Sequence, residues 1–168
     1  MLQALQQTAP SDSPSSAESL RIVGPIHRDA VDDVLRVVWP WLAPAFEQDD
    51  WKTDAEGLRA QLLEGGMEMF VVYDLASQAI LAAIATELMQ FQHTRVFRLA
   101  FCGGEAMERW AHLISVFYGI ARDRGCTVIQ IAGRKGWGRV FPDFVERARI
   151  YEKRLEVEQA LTSVQQRI

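Results

Sequence analysis

From Leu20 onward, the spacing of apolar positions divides the chain into short strands and helices. LRIV predicts a strand over Leu20 to Val23, closed by Gly24-Pro25, and Asp29 then stands where an N-cap belongs before AVDDVLRVVW. Val31, Val34, Leu35 and Val38 fall at helical spacing in that run, and Pro40 is expected to end the helix. WLAPAFEQDDW then reads as an aromatic-bearing loop packed over the sheet edge or over a pocket. Thr53 or Asp54 caps a second helix, with Leu58, Leu62 and Leu63 facing inward and Gly65-Gly66 as its stop.

Three further runs, Met67 to Leu75, Ile80 to Leu88 and Arg95 to Phe101, predict an antiparallel meander whose first turn is ASQA. Cys102-Gly103-Gly104 punctuates it. AMERWAHLISVFYGIARDRG follows as the longest helical pattern, with Met107, Trp110, Ile114, Phe117 and Ile120 on one face and Gly125 as its C′ residue. Thr127 to Ala132 is the next strand, so strand, helix and strand suggest a parallel βαβ crossover. GRKGWGRVFPDF predicts a loop and a short helix interrupted by Pro142, and RARIYEKRLE a last alternating strand. The fold class is therefore α/β (α+β), a mixed central sheet with an antiparallel meander and a βαβ crossover.

Composition narrows this in few places. The chain of 168 residues suits one domain, and 49% hydrophobic with 24% charged residues is ordinary globular composition. Thr8 to Ser19 is Ser, Pro, Ala and acidic residues, so residues 1–19 read as a flexible tail, 20–156 as the domain and 157–168 as an amphipathic extension. The net charge of -4 gives no global attraction to nucleic acid or anionic membrane, and no extended basic stripe is present. No segment is apolar enough to span a bilayer, and no secretion signal opens the chain, so a cytoplasmic location is expected. Cys102 and Cys126 form no CxxC, and the three histidines have no metal-ligand spacing, so no metal site is expected.

The element order, together with RIVGPIHRDAVDDVLRVVW, the FRLAFCGG junction and ARDRGCTVIQIAGRKGW, resembles the GNAT acyltransferase superfamily over Leu20 to about Glu156. RGCTVIQIAGRKGWGRVFPDF also resembles small GNAT-like proteins encoded among the head and tail genes of tailed bacteriophages. The superfamily resemblance implies an acyl-CoA site at Phe101, Cys102, Gly103, Gly104 and Ala106, where a (Q/R)xxGx(G/A) loop and the following helix N-terminus bind pyrophosphate in GNAT enzymes. Only the glycine pair of that pattern is kept, and Glu105 adds negative charge where pyrophosphate would lie.

Glu87 is the candidate base if the chain is an enzyme, against its plainer role as a solvated strand-end carboxylate. No tyrosine stands where GNAT enzymes often place the acid, since Arg139, Phe141 and Phe144 occupy that region and Tyr151 lies beyond it. Cys102, at a predicted helix N-terminus with His93 or His112 as base, is a possible thiolate nucleophile or simply a small buried hydrophobe. Arg134, Lys135, Trp137 and Arg139 combine cations, an aromatic ring and flexible glycines, either as a partner-binding surface or as a surface loop with Trp137 tucked inward.

These features imply a non-catalytic GNAT-fold component of a tailed-phage virion, assembled in the host cytoplasm, with other protein subunits as partners and no cofactor. The alternative is an N-acyltransferase with a divergent CoA site that takes acetyl-CoA or another acyl-CoA.

Overall fold

The computed structural model describes residues 19–47, 54–131 and 136–147. They fall into two compact units, one ending at Arg134 and the other starting at Lys135.

In the first unit, β1 (Leu20–Val23) leads through a 3-10 turn (Arg28–Ala30) into α1 (Val31–Glu47) and α2 (Ala55–Glu64). β2 (Glu68–Asp74), β3 (Ala79–Gln90) and β4 (Arg95–Gly104) follow, then α3 (Met107–Trp110), a 3-10 segment (Ala111–Ser115), α4 (Val116–Asp123) and β5 (Val128–Ile131). The sheet order is β1-β2-β3-β4-β5, antiparallel except for the parallel β4–β5 pair that the crossover requires. The meander and the βαβ unit are those the sequence predicts.

Two layers of helix cover the sheet. On one face, Val31, Leu35, Val38, Leu42 and Phe46 of α1 join Leu58 and Leu62 of α2 against Met69, Val71, Ala83 and Ala85. Small side chains at Ala83 and Ala85 leave room for this helical layer to seat closely. On the other face, Phe117 of α4 meets Phe70 edge-on at 5.1 Å and Phe97 at 6.0 Å, beside fully buried Trp110. Burying each such side chain contributes roughly 1.5–3 kcal/mol, so these two rows carry much of the fold.

Pro40 does not end α1, which runs on through Pro44 to Glu47. Each proline removes one amide, freeing the carbonyls of Arg36 and Pro40, and Arg36, Pro40 and Pro44 are all exposed. On that exposed side the carbonyls can take hydrogen bonds from solvent, while the apolar row from Val31 to Phe46 holds the helix to the sheet. The predicted loop after Pro40 is therefore helical as far as Glu47. The helix entry also differs from expectation: Asp29 lies inside the 3-10 turn, and the His27 ring accepts its amide at 3.4 Å.

Asp54 caps α2 as predicted, accepting the Gly57 amide at 2.8 Å, and Gly65 ends it in the left-handed region at φ 80. Asp32 of α1 takes a two-pronged contact from Arg59 of α2, at 2.6 and 3.0 Å. The predicted long helix is broken into α3, the 3-10 segment and α4. Gly125 follows α4 at φ 70, as a C′ glycine should.

In the second unit, α5 (Trp137–Val140) is followed by Phe141 and Pro142. Trp137 stacks on Phe141 at 5.3 Å, and Phe144 meets Phe141 at 6.0 Å. The predicted last strand and the C-terminal extension lie outside the described residues, as does the tail before Ser19.

Candidate functional site

The predicted acyl-CoA segment is the end of β4, not a loop. Cys102, Gly103 and Gly104 stay in the ladder opposite Ile84, Ala83 and Ala82, so the expected punctuation falls two to three residues later. The Glu105 amide donates to the Leu81 carbonyl at 2.8 Å. Antiparallel alternation then turns the Gly103 amide toward β3 as well.

Both glycines are explained by close packing. A Cβ on Gly103 would overlap the Trp41 carbonyl oxygen and lie 2.7 Å from its carbon, so α1 can sit on β4 only over bare backbone. A Cβ on Gly104 would come within 2.6 Å of the Ala82 Cα. Neither glycine has a positive φ, so steric clearance rather than loop conformation is what calls for glycine here. Phe101 continues the α1 contact, its ring stacked on Phe46 at 4.1 Å, with Trp39 beyond at 5.2 Å.

Two indoles fix the junction after β4. Trp110 donates its ring N–H to the Glu105 carbonyl at 2.8 Å, and Trp41 donates to the Glu105 carboxylate at 3.3 Å. Ala106 then adopts the left-handed conformation at φ 47, and its side chain provides no cap for α3. α3 has only four residues, a single turn with little aligned dipole to offer an anion. These residues do not fit the pyrophosphate loop that the resemblance implies.

Glu87 pairs across the strands with Arg98, at 3.1 Å, and Arg98 also reaches the Met89 sulfur at 3.8 Å. Five residues of β4 separate Arg98 from Gly103, about 17 Å along the strand, so Glu87 stands well away from the glycine pair. Cys102 lies inside β4 instead of at a helix start. Burial pushes its thiol up to about 12, in line with the small buried hydrophobe and against the thiolate nucleophile of the two sequence readings. His93 sits in the β3–β4 turn, about 23 Å along β4 from Cys102, and His112 is exposed on the 3-10 segment. Cys126 is buried.

Arg134 and Lys135 lie outside the described residues, as does Tyr151. In the second unit Trp137 is half-buried against Phe141, and Arg139 is exposed. A cleft of about 300 Å³ opens in the first unit between Pro25, His27, Arg28, Leu62, Met67 and Glu68, and none of the predicted site residues lines it.

Sequence reasoning missed the roles of Trp41, Trp110 and Asp74. Trp41 was hidden by Pro40, although the apolar spacing that continues through Leu42 and Phe46 marks α1 as longer. Asp74, at the end of β2, is buried and accepts from the Arg109 guanidinium at 3.1 Å and the Ala76 amide at 3.0 Å. Hydrogen bonds from Ser19 first, then Ala76 and Arg109, hold its carboxyl down at about 2 against the cost of burial.

No protein-family model and no curated protein matches the sequence. Among solved structures, the chain is similar to an aminoglycoside acetyltransferase from an uncultured soil metagenomic sample, solved with sisomicin. The TM-score is 0.64 at 12% identity, covering 84% of this chain and 100% of that one. It is also similar to a GNAT family acetyltransferase of Staphylococcus aureus, with TM-score 0.55, 11% identity and coverage of 82% and 99%. A ribosomal-protein-alanine N-acetyltransferase of Brucella melitensis gives TM-score 0.57 at 10% identity, with coverage of 82% and 98%. The chain has the GNAT fold.

Proposed function

We propose that this chain is a GNAT-fold protein that performs no acyl transfer and serves as a structural or assembly component, in the setting its sequence resembles, a tailed-phage virion. The observation that carries this is the occupation of the β4–α3 junction by the protein's own groups. Gly103 gives clearance to α1, Glu105 takes both indoles, and one helical turn follows. An acyl-CoA pyrophosphate would need the anion position that the Glu105 carboxylate takes up.

Isothermal calorimetry of the full chain with acetyl-CoA tests the first half. No heat at millimolar ligand is expected, and micromolar binding overturns it. Mass spectrometry of purified phage particles tests the second half: the chain is expected in mature particles, and its absence from them removes the virion role.

A second reading is favoured by the acetyltransferase names of the structural neighbours. Among the described residues, β5 pairs with β4 only as far as Leu99, so the β4 edge beyond it is unpaired on that side. Under this reading the chain is an N-acyltransferase in which Phe101 and Cys102 hold the pantetheine arm, Gly103 to Ala106 the phosphates, and Glu87 activates an amine. The same calorimetry separates the two.

A further inference from the structure

The turn before α1 is closed by a side chain that can change its charge. His27, in extended backbone, precedes the 3-10 turn Arg28–Ala30 that leads into the helix. Its Nδ1 accepts the Asp29 amide at 3.4 Å and lies 3.3 Å from an Asp29 carboxylate oxygen. These two contacts call for opposite proton states. An amide donates only to a bare Nδ1, which puts the hydrogen of the neutral ring on Nε2. A carboxylate only accepts, so it bonds the same atom when Nδ1 carries a hydrogen and the ring is a cation. Both partners stand within reach of one nitrogen, so the exchange needs no rotation of the ring.

We propose that His27 is a proton-operated cap at the entry to α1. With the ring neutral, Nδ1 holds the Asp29 amide and closes the turn. A proton from solvent adds to Nδ1, the amide is released to water, and the new N–H donates to the Asp29 carboxylate instead. Both side chains are exposed, so water reaches the ring and takes over the released amide. The turn keeps its Ala30 amide to His27 carbonyl bond, at 2.9 Å, which does not involve the ring.

The surrounding charges single out Asp29 as the group that answers the proton. In the first turn of α1, Asp32 is held by Arg59 and Asp33 by Arg36. Across the cleft that His27 and Arg28 line, β2 brings Glu68, held by Arg124 after α4, and α2 brings only uncharged Leu62 and Gly65. Among the described residues, Asp29 alone of these four carboxylates has no arginine partner. Protonation also sets a second cation beside Arg28 at the mouth of that cleft.

Nitrogen-15 NMR of the full chain from about pH 8 to 5 tests this, since imidazoles change charge in that window and carboxylates titrate near pH 4. At pH 8 the His27 ring is expected as the Nε2–H tautomer, and a ring with its hydrogen on Nδ1 overturns the proposal. As the ring protonates, the Asp29 amide is expected to move to a solvent-exposed shift with the same midpoint. An amide that stays in place while the ring titrates overturns it.

Two variants separate the proton from its neighbours. Asp29→Asn keeps the amide and removes the carboxylate, and the ring midpoint is expected to fall by about 0.2–0.7 pH, the size of an exposed ion pair. An unchanged midpoint overturns the proposal. His27→Asn keeps a capping acceptor without a titrating proton, so the Asp29 amide is expected to lose its response to pH across the window. An amide that still titrates there answers to another group and overturns the proposal. Circular dichroism confirms that each variant keeps the fold, and the titration of the parent chain needs neither.

Discussion

The carbonyl of Trp41 occupies the space that a side chain on Gly103 would need. The two residues lie on different elements, α1 and β4, and their contact sets how closely the helix seats on the sheet. Gly103→Ala must push the helix away or bend the strand. It is expected to destabilise the chain by about 3 kcal/mol, lowering the melting temperature by roughly 6–12 °C in a scan followed by circular dichroism. A variant with unchanged melting would mean that the glycine serves something other than packing.

Asp74 gives the acid limb of stability. Its folded value is held at about 2 against an ordinary 3.8, so its contribution is fully present above about pH 4 and is lost as pH falls through 2. Asp32, lowered by the Arg59 hydrogen bond, acts in the same direction. Denaturant titrations of the parent chain and Asp74→Asn between pH 7 and 2 should show the variant less stable at neutral pH, with the gap closing below pH 4. A gap that stays constant down to pH 2 would show that the carboxylate charge is immaterial.

Cys102 should be chemically quiet. With its thiol pushed up to about 12 and Cys126 buried, iodoacetamide at pH 8 is expected to modify the folded chain at least about 100-fold more slowly than the urea-unfolded chain. Peptide mass mapping reads each site separately. Rapid alkylation of Cys102 would restore it as a candidate nucleophile.

Ala106 carries backbone strain without a functional partner in view. A left-handed alanine costs about 1–2 kcal/mol, part of which glycine recovers after its own entropy loss. Ala106→Gly is expected to raise stability by about 0.5–1 kcal/mol, measured by urea unfolding. A loss of stability would show that the Ala106 methyl group packs usefully at the junction.

Where local pattern and tertiary packing agreed, the sequence was a good guide. β1, the meander, the Asp54 cap and the Gly65 and Gly125 stops follow from hydrophobic alternation, side-chain oxygen chemistry and positive φ, all local properties. Pro40 misled because its cost falls on a solvent-facing carbonyl that water can satisfy, while the apolar row from Val31 to Phe46 continues inward. The glycine pair was ambiguous for a deeper reason. A phosphate loop and a close helix contact both call for glycine, and only the position of Trp41, some 60 residues earlier, distinguishes them. Likewise, no spacing rule connects Asp74 with Arg109 or Glu105 with two tryptophans, because these contacts exist only once the sheet has formed.

The prolines of α1 constrain whatever docks on this protein. Two carbonyls on the outer face of that helix have lost their amide donors, and a partner that covered them with hydrocarbon would have to strip their water without replacement, at about 1–3 kcal/mol for each. That face must stay wet in any assembly, or meet a partner that brings hydrogen-bond donors of its own.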